Sequence, residues 1–291
     1  MPSSRRIIIS TDAKNEADDQ FAIVHALLSD TLDIRGIVPA HFGERDGRDT
    51  MRESRAEVDL LLHLTGRTDV PVADGAPRRL PAPDTPIAAP GAEMIIKEAM
   101  ADDGPLYIAV LGPLTDVASA LLLAPEIQDR DVTVVWIGGG PYDGLWACYW
   151  PCFNLGNDIA AANVVFGSRL KLWQVPMSTY VRVNVGYGEL RQKVAPHGLV
   201  GAYLVQQLMD WNAANNPQPA DYRSLGDSPA VALVLNPTAG LMRERDRPLF
   251  GQDGSYIPGA GGVVRVCESV DTRYVLEDFF AKVHAHAGAM P

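Results

Sequence analysis

The stretch RIIISTDAKNEADDQFAIVHALLS, residues 6–29, decides the fold. Ile7, Ile8 and Ile9 are a β-branched, wholly apolar run, which predicts a buried strand. A polar segment, Ser10 to Asp19, follows at once. Phe21, Ile23, Val24, Ala26, Leu27 and Leu28 then recur at mixed three-and-four spacing, which predicts a helix. Asp12, Glu16, Asp18 and Asp19 therefore crowd one turn from strand to helix. In an open α/β sheet such a turn lies at the carboxyl edge, where ligands bind. Acidic residues in a first helical turn complement the macrodipole or cap orphan N–H groups, which accounts for Asp18 or Asp19. It does not account for all four, whose mutual repulsion must be offset. A hard cation such as Ca²⁺, taking roughly six to eight oxygen ligands, does so economically.

The rest of the chain repeats this alternation. Strands are expected at Leu32–Val38, Val70–Ala73, Leu106–Leu111, Asp131–Ile137, Leu170–Val175 and Val263–Cys267. Helices are expected at Arg52–Leu64 (ending near Gly66), Ala92–Ala101, Val117–Leu123, Ile159–Phe166, Leu190–Trp211 (interrupted near Pro196-His197-Gly198), Ala230–Leu235 and Thr272–His286. Strand alternating with helix implies an α/β fold, a mostly parallel central sheet with helices on both faces. No repeat or long linker interrupts it, so residues 1–291 are expected to form one domain. The Gly138-Gly139-Gly140 run permits close approach of backbone to a ligand, but no G-x-G-x-x-G spacing is met.

Composition narrows the function classes. A formal net charge of −11 argues against nucleic acid, which needs a basic footprint. Three cysteines, Cys148, Cys152 and Cys267, form no CxxC pair, which implies a reduced, cytoplasmic setting. No apolar run reaches membrane-spanning length, and no signal-peptide pattern precedes the first strand.

Four segments taken together resemble the nucleoside hydrolase (inosine-uridine N-ribohydrolase-like) family. Ser10-Thr11-Asp12 and Asp18-Asp19-Gln20-Phe21-Ala22 are similar to its D-x-D-P-G-x-D-D-x-x-A loop, with two residues added between. Leu111-Gly112-Pro113-Leu114-Thr115-Asp116 is similar to its GPLTN turn. Phe153-Asn154 with Asp158-Ile159-Ala160-Ala161-Ala162 is similar to its E-F-N-x-x-x-D-P-x-A-A segment. Asp227-Ser228-Pro229-Ala230-Val231-Ala232 is similar to its H-D-P-L-A-V-A segment. The resemblance implies a Rossmann-like core and a calcium-dependent hydrolase of the N-glycosidic bond of a nucleoside or related ribosyl compound. It implies Asp12 as calcium ligand and general base, Asp19, Asp227 and the Leu111 carbonyl as further ligands, and Asp18 and Asn154 as sugar contacts. It also implies a homodimer or homotetramer.

The departures from the pattern mark what is rewritten. Ser10 stands where the family has an aspartate, Cys152 where many members have glutamate, and Gly226 where it has a histidine linked to protonating the leaving group. The longer first loop includes Lys14-Asn15-Glu16-Ala17, in a form that resembles a divergent branch. His41, after the second strand, and Tyr222 are candidates for contacting the substrate. Trp146, Tyr149 and Trp150 are candidates for a stacking wall. With no histidine at Gly226, the expectation is a leaving group that needs no proton, selected by Trp146 and Trp150. Two alternatives stand beside the leading reading: hydrolysis of another glycoside by the same metal core, and a calcium- and sugar-binding protein without turnover. Retention of Asp12 favours activity.

Overall fold

The computed structural model describes residues 4–45, 47–101, 103–142, 148–216, 218, 220–259 and 261–289. Strand β1 (Arg5–Thr11) buries Ile7, Ile8 and Ile9 completely. Helix α1 (Asp19–Leu27) is buried at every position, so its apolar residues need no single stripe. There follow β2 (Leu32–Pro39), α2 (Thr50–Thr65), α3 (Pro90–Met100), β3 (Leu106–Val110), α4 (Thr115–Leu123), β4 (Val132–Ile137), α5 (Phe153–Asn157), α6 (Ile159–Phe166) and β5 (Lys171–Val175). Beyond β5 the order is α7 (Met177–Tyr180), β6 (Asn184–Gly186), α8 (Tyr187–Lys193), α9 (Gly198–Asn215), β7 (Tyr222–Ser224) and α10 (Ser228–Leu235). The described chain closes with β8 (Gly240–Asp246), β9 (Leu249–Phe250), β10 (Tyr256–Ile257), β11 (Val263–Val270) and α11 (Thr272–Ala289).

Seven strands make the central sheet, in the order β2-β1-β3-β4-β5-β11-β8. Neighbours run parallel except β8, which is antiparallel to β11. Helix α4 packs between α3 and α6, while α1 packs on α2, α10 and α11. The fold is α/β, with a mostly parallel sheet covered by helices on both faces, as the alternation of elements implied. Residue 66 ends α2 in the left-handed region (φ 67°), which glycine adopts without a Cβ penalty. Among the described residues no helix is long and apolar enough to cross a membrane.

Three local expectations fail for physical reasons. Val70–Ala73 contributes only a single bridge, Val72 to Ile37, because Pro71 has no N–H to extend a ladder. Strand β8 was not expected at all, since its GLMRERD sequence lacks a continuous apolar face. At the edge of the sheet it needs none. No strand is expected between Trp211 and Ala230, yet β7 pairs antiparallel with the distant β6 in a small two-stranded sheet.

Trp136 anchors the middle of the core from β4. Its ring makes edge contacts with Phe166 and Phe250, at centroid separations of 5.6 and 6.1 Å. Its indole N–H donates to the Gly112 carbonyl at 3.1 Å, fixing the turn that leaves β3.

Candidate active site

β1, β3 and β4 are adjacent and parallel, so the turns after Thr11, Val110 and Ile137 lie side by side at one edge of the sheet. A cleft of about 800 Å³ opens over this edge. Asp12, Asp18, Asp19, Leu111, Asn154 and Asp227 all line it, with Asn15 and Glu16 of the longer loop. Asp18 and Asp227 occupy the N-cap positions of α1 and α10, yet neither carboxylate caps its helix. They are turned to the cleft instead.

The carboxylates of Asp18, Asp19 and Asp227 converge, with one oxygen of each within 4.8 Å of the others. All three are buried. Asp19 accepts from the Thr11 hydroxyl at 2.5 Å, and Asp18 accepts from the Gly226 N–H at 2.8 Å. Asp12 is 1% exposed, and its Oδ2 is enclosed without a hydrogen-bond partner. Its Oδ1 lies against Gly112, where an added Cβ would come within 2.7 Å. Burial, then the charge of Asp19, holds the Asp12 pKa well above the usual carboxylate range. Burial, then Asp18, does the same to Asp227 and pushes Asp19 up to about 7. Such crowding of buried, partly unpartnered oxygens is what a hard cation relieves.

The longer first loop is tied down by α2, α9 and β7. Trp211 Nε1 donates to the Asn15 carbonyl at 3.1 Å, and Gln207 Nε2 to the Ala17 carbonyl at 2.9 Å. Glu57, 4% exposed on α2, receives Lys14 Nζ at 2.9 Å, Gln20 Nε2 at 3.1 Å and the Tyr203 hydroxyl at 2.5 Å. Glu16 pairs with Arg223, whose guanidinium lies 4.4 Å over the Trp211 ring. Burial, then Asp18, raises the Glu16 pKa to about 7 against the pull of Arg223. Replacing Glu57 by leucine strands buried donors on Gln20 and Tyr203. A loss of about 1–3 kcal/mol in urea unfolding is expected, and an unchanged midpoint would show that the clamp contributes nothing.

Several expected positions are placed differently. His41 does not line the cleft: it is fully buried, Nδ1 accepts from the Gly43 N–H at 3.1 Å, and Nε2 therefore donates to the Thr115 hydroxyl at 2.8 Å. Thr115 passes its own proton to Asp158 at 2.8 Å. Burial, then Arg79, pushes His41 down to about 4, so it is a neutral structural link. Trp150 faces away as well, its ring filling the space over Gly140 and Gly254. Trp146 lies outside the described residues. Tyr222 lines the cleft and is 55% exposed. Asn154 lines it too, but its amide nitrogen is engaged with the Leu111 and Ile137 carbonyls, at 2.5 and 2.9 Å.

Other walls were not read from the sequence. Tyr180, Asn184, Trp211 and Asn212 line the cleft from α7, β6 and α9. Their periodicity is that of ordinary helical and strand residues, so nothing in the pattern distinguished them from core.

A family model described as inosine-uridine preferring nucleoside hydrolase matches residues 7–277. The chain is similar to the pyrimidine-specific ribonucleoside hydrolase RihA of Escherichia coli (strain SMS-3-5 / SECEC), at 32% identity over 218 residues, covering 67% of each chain. Its fold is similar to that of the purine-preferring ribonucleoside hydrolase from Gardnerella vaginalis, with a TM-score of 0.80 and 21% identity over 98% of this chain and 100% of that one. It is also similar to the inosine-uridine preferring nucleoside hydrolase from Bacillus anthracis, with a TM-score of 0.74 and 17% identity, covering 96% and 99% of the two chains.

Proposed function

Because the chain belongs to the inosine-uridine preferring nucleoside hydrolase family, we propose that it hydrolyses the N-glycosidic bond of a ribonucleoside with the help of Ca²⁺. The observation that carries this is the buried carboxylate set at the floor of the cleft, with Asp12 Oδ2 left unpartnered. The donor set is all oxygen, which fits a hard cation and not zinc. Asp12, Asp19, Asp227 and the Leu111 carbonyl would hold it. Asp18, and not Asp12, converges with Asp19 and Asp227, although the resemblance implied only a sugar contact for it. When bound, the cation supplies neutralising charge and Lewis-acid polarisation of water and of sugar hydroxyls.

The chain's own groups do the rest. Asp12, with one free oxygen and a raised proton affinity, accepts the proton of the attacking water. Asp18, held by the Gly226 N–H, accepts from a ribose hydroxyl. Asn154 anchors the Leu111 carbonyl, and its side-chain carbonyl oxygen is what remains to accept from the same sugar. The surrounding carboxylates stabilise positive charge growing at the anomeric carbon. The relatives' names divide between pyrimidine and purine bases, so the sugar and the hydrolytic step are the shared part. The same reading takes residues 1–291 as one domain and carries forward a cytoplasmic homodimer or homotetramer.

Two measurements test it. Uridine and inosine should release free ribose, a chelator should stop that release, and added calcium should restore it. Stoichiometric zinc, or turnover indifferent to chelator, would overturn the metal assignment. The second is a pH dependence. Without cation, Asp12, Asp19 and Asp227 have folded pKa values above their unfolded ones. Their stabilising contribution is then present at low pH and lost as pH rises through about 7 for Asp19. Tm of the chelated protein should therefore fall from about pH 4 to about 7, and the gain in Tm on adding calcium should grow over the same range. A calcium gain independent of pH would mean that these carboxylates are not its ligands.

A further inference from the structure

Two departures from the family pattern, Cys152 for glutamate and Gly226 for histidine, are distant in sequence yet meet at one side chain. Cys152 Sγ lies 3.4 Å from the Tyr180 hydroxyl. A Cβ added at Gly226 would come within 3.1 Å of the Tyr180 ring and 3.2 Å of Asp18 Oδ2, so Tyr180 fills the space a side chain there would take. The Tyr180 hydroxyl in turn lies 2.7 Å from the Tyr149 hydroxyl. Tyr180 is 8% exposed, and its carbonyl is fixed by the Ser224 hydroxyl at 2.9 Å. Tyr149 is 44% exposed and lines the cleft beside Tyr180, Gly226 and Asp227.

The direction of this line follows from its donors. Cys152 Sγ already receives the backbone N–H groups of Leu155, Gly139 and Asn154, which leaves its thiol proton for Tyr180 and Tyr180 free to donate onward. The thiol thus donates to Tyr180 and Tyr180 donates to Tyr149. The Tyr149 proton is then free for the cleft, and each bond polarises the next. Burial raises both phenol pKa values, so both hydroxyls keep their protons.

We propose that the Tyr149 hydroxyl, aimed by Tyr180 and Cys152, donates a hydrogen bond to the departing base, the contact for which the resembled pattern uses histidine. The inference rests on the hydrolase reading above. In the reaction the C1′–N bond breaks with its electron pair passing to the base nitrogen, and water oxygen bonds C1′. The water proton passes to Asp12 and then to solvent, and solvent protonates the released base. Tyr149 stabilises the departing charge without losing its own proton. Tyr180 and Cys152 are positioning residues.

The test compares uridine and inosine with 4-nitrophenyl riboside, whose leaving group needs no such help. Tyr149→Phe should lower kcat/KM on the two nucleosides by about 100-fold and on the riboside by less than about threefold. Tyr180→Phe should lower kcat on the nucleosides by about tenfold at unchanged KM, with Cys152→Ser close to wild type and Cys152→Ala between. Circular dichroism checks that each variant is folded. A Tyr149→Phe protein that keeps full nucleoside turnover, or loses both substrate classes alike, overturns the assignment while the hydrolase reading stands. A wild-type protein that cleaves neither class with calcium present overturns that reading and this one together.

Discussion

Replacing Asp12 by asparagine is expected to lower kcat on a nucleoside by about 10³–10⁴-fold, with a much smaller change in KM. The amide keeps the size of the carboxylate and one carbonyl oxygen, so cation and sugar retain most of their contacts. What disappears is the ability to take a proton. The environment adds to the effect: burial, then Asp19, raises the proton affinity of Asp12, which strengthens it as a proton acceptor. Steady-state kinetics with a bound-calcium assay separates the two roles. A variant that retains calcium and turns over within tenfold of wild type would leave Asp12 as a ligand and place the base elsewhere.

Truncating Trp136 to alanine is the second large effect, expected to cost about 3–5 kcal/mol of stability. The ring is 2% exposed and packs by its edge against Phe166 and Phe250. Removal creates a cavity in the middle of the sheet and leaves the Gly112 carbonyl without its indole donor. That carbonyl belongs to the turn that presents Leu111 to the cleft, so calcium affinity should weaken as well. Trp136→Phe, which keeps most of the volume, should cost only about 1–3 kcal/mol. Urea unfolding of both variants measures the difference, and equal losses would mean that the cavity is filled by relaxation.

The parts of the site that were legible in the sequence are those written at strand ends. Asp12 follows three isoleucines, Leu111 follows an apolar strand, and Asp227 precedes the Ser228-Pro229 start of a helix. Each local pattern fixes where its residue must emerge. His41 emerges at the same edge, but the direction of its ring depends on Thr115 and Gly43, which no local pattern records. Trp150 and Tyr149 are neighbours in sequence with opposite fates: one ring covers glycines, while the other lines the cleft. The walls from α7 and α9 are tertiary facts. So is the meeting of Cys152, Tyr180 and Gly226, which turns two apparent losses into one arrangement.

The borders of the sheet limit how copies of this chain can associate. At the β2 border, residues 70–75 lie along the strand, and Pro71, Ala73 and Gly75 take up its hydrogen bonds with Ile37 and Pro39. On the outer side the Val70 N–H and the Asp74 carbonyl are already taken by Arg67 and Gly91, which leaves little backbone open to a further strand. At the other border, β8 carries Arg243, Glu244, Arg245 and Asp246 in succession, a run of charge that an incoming strand would have to match or desolvate. Continuation of the sheet from one molecule into the next is therefore disfavoured at both ends. Helical faces and loops are left as the surfaces through which an assembly can form, and a partially unfolded neighbour finds no ready template for aggregation.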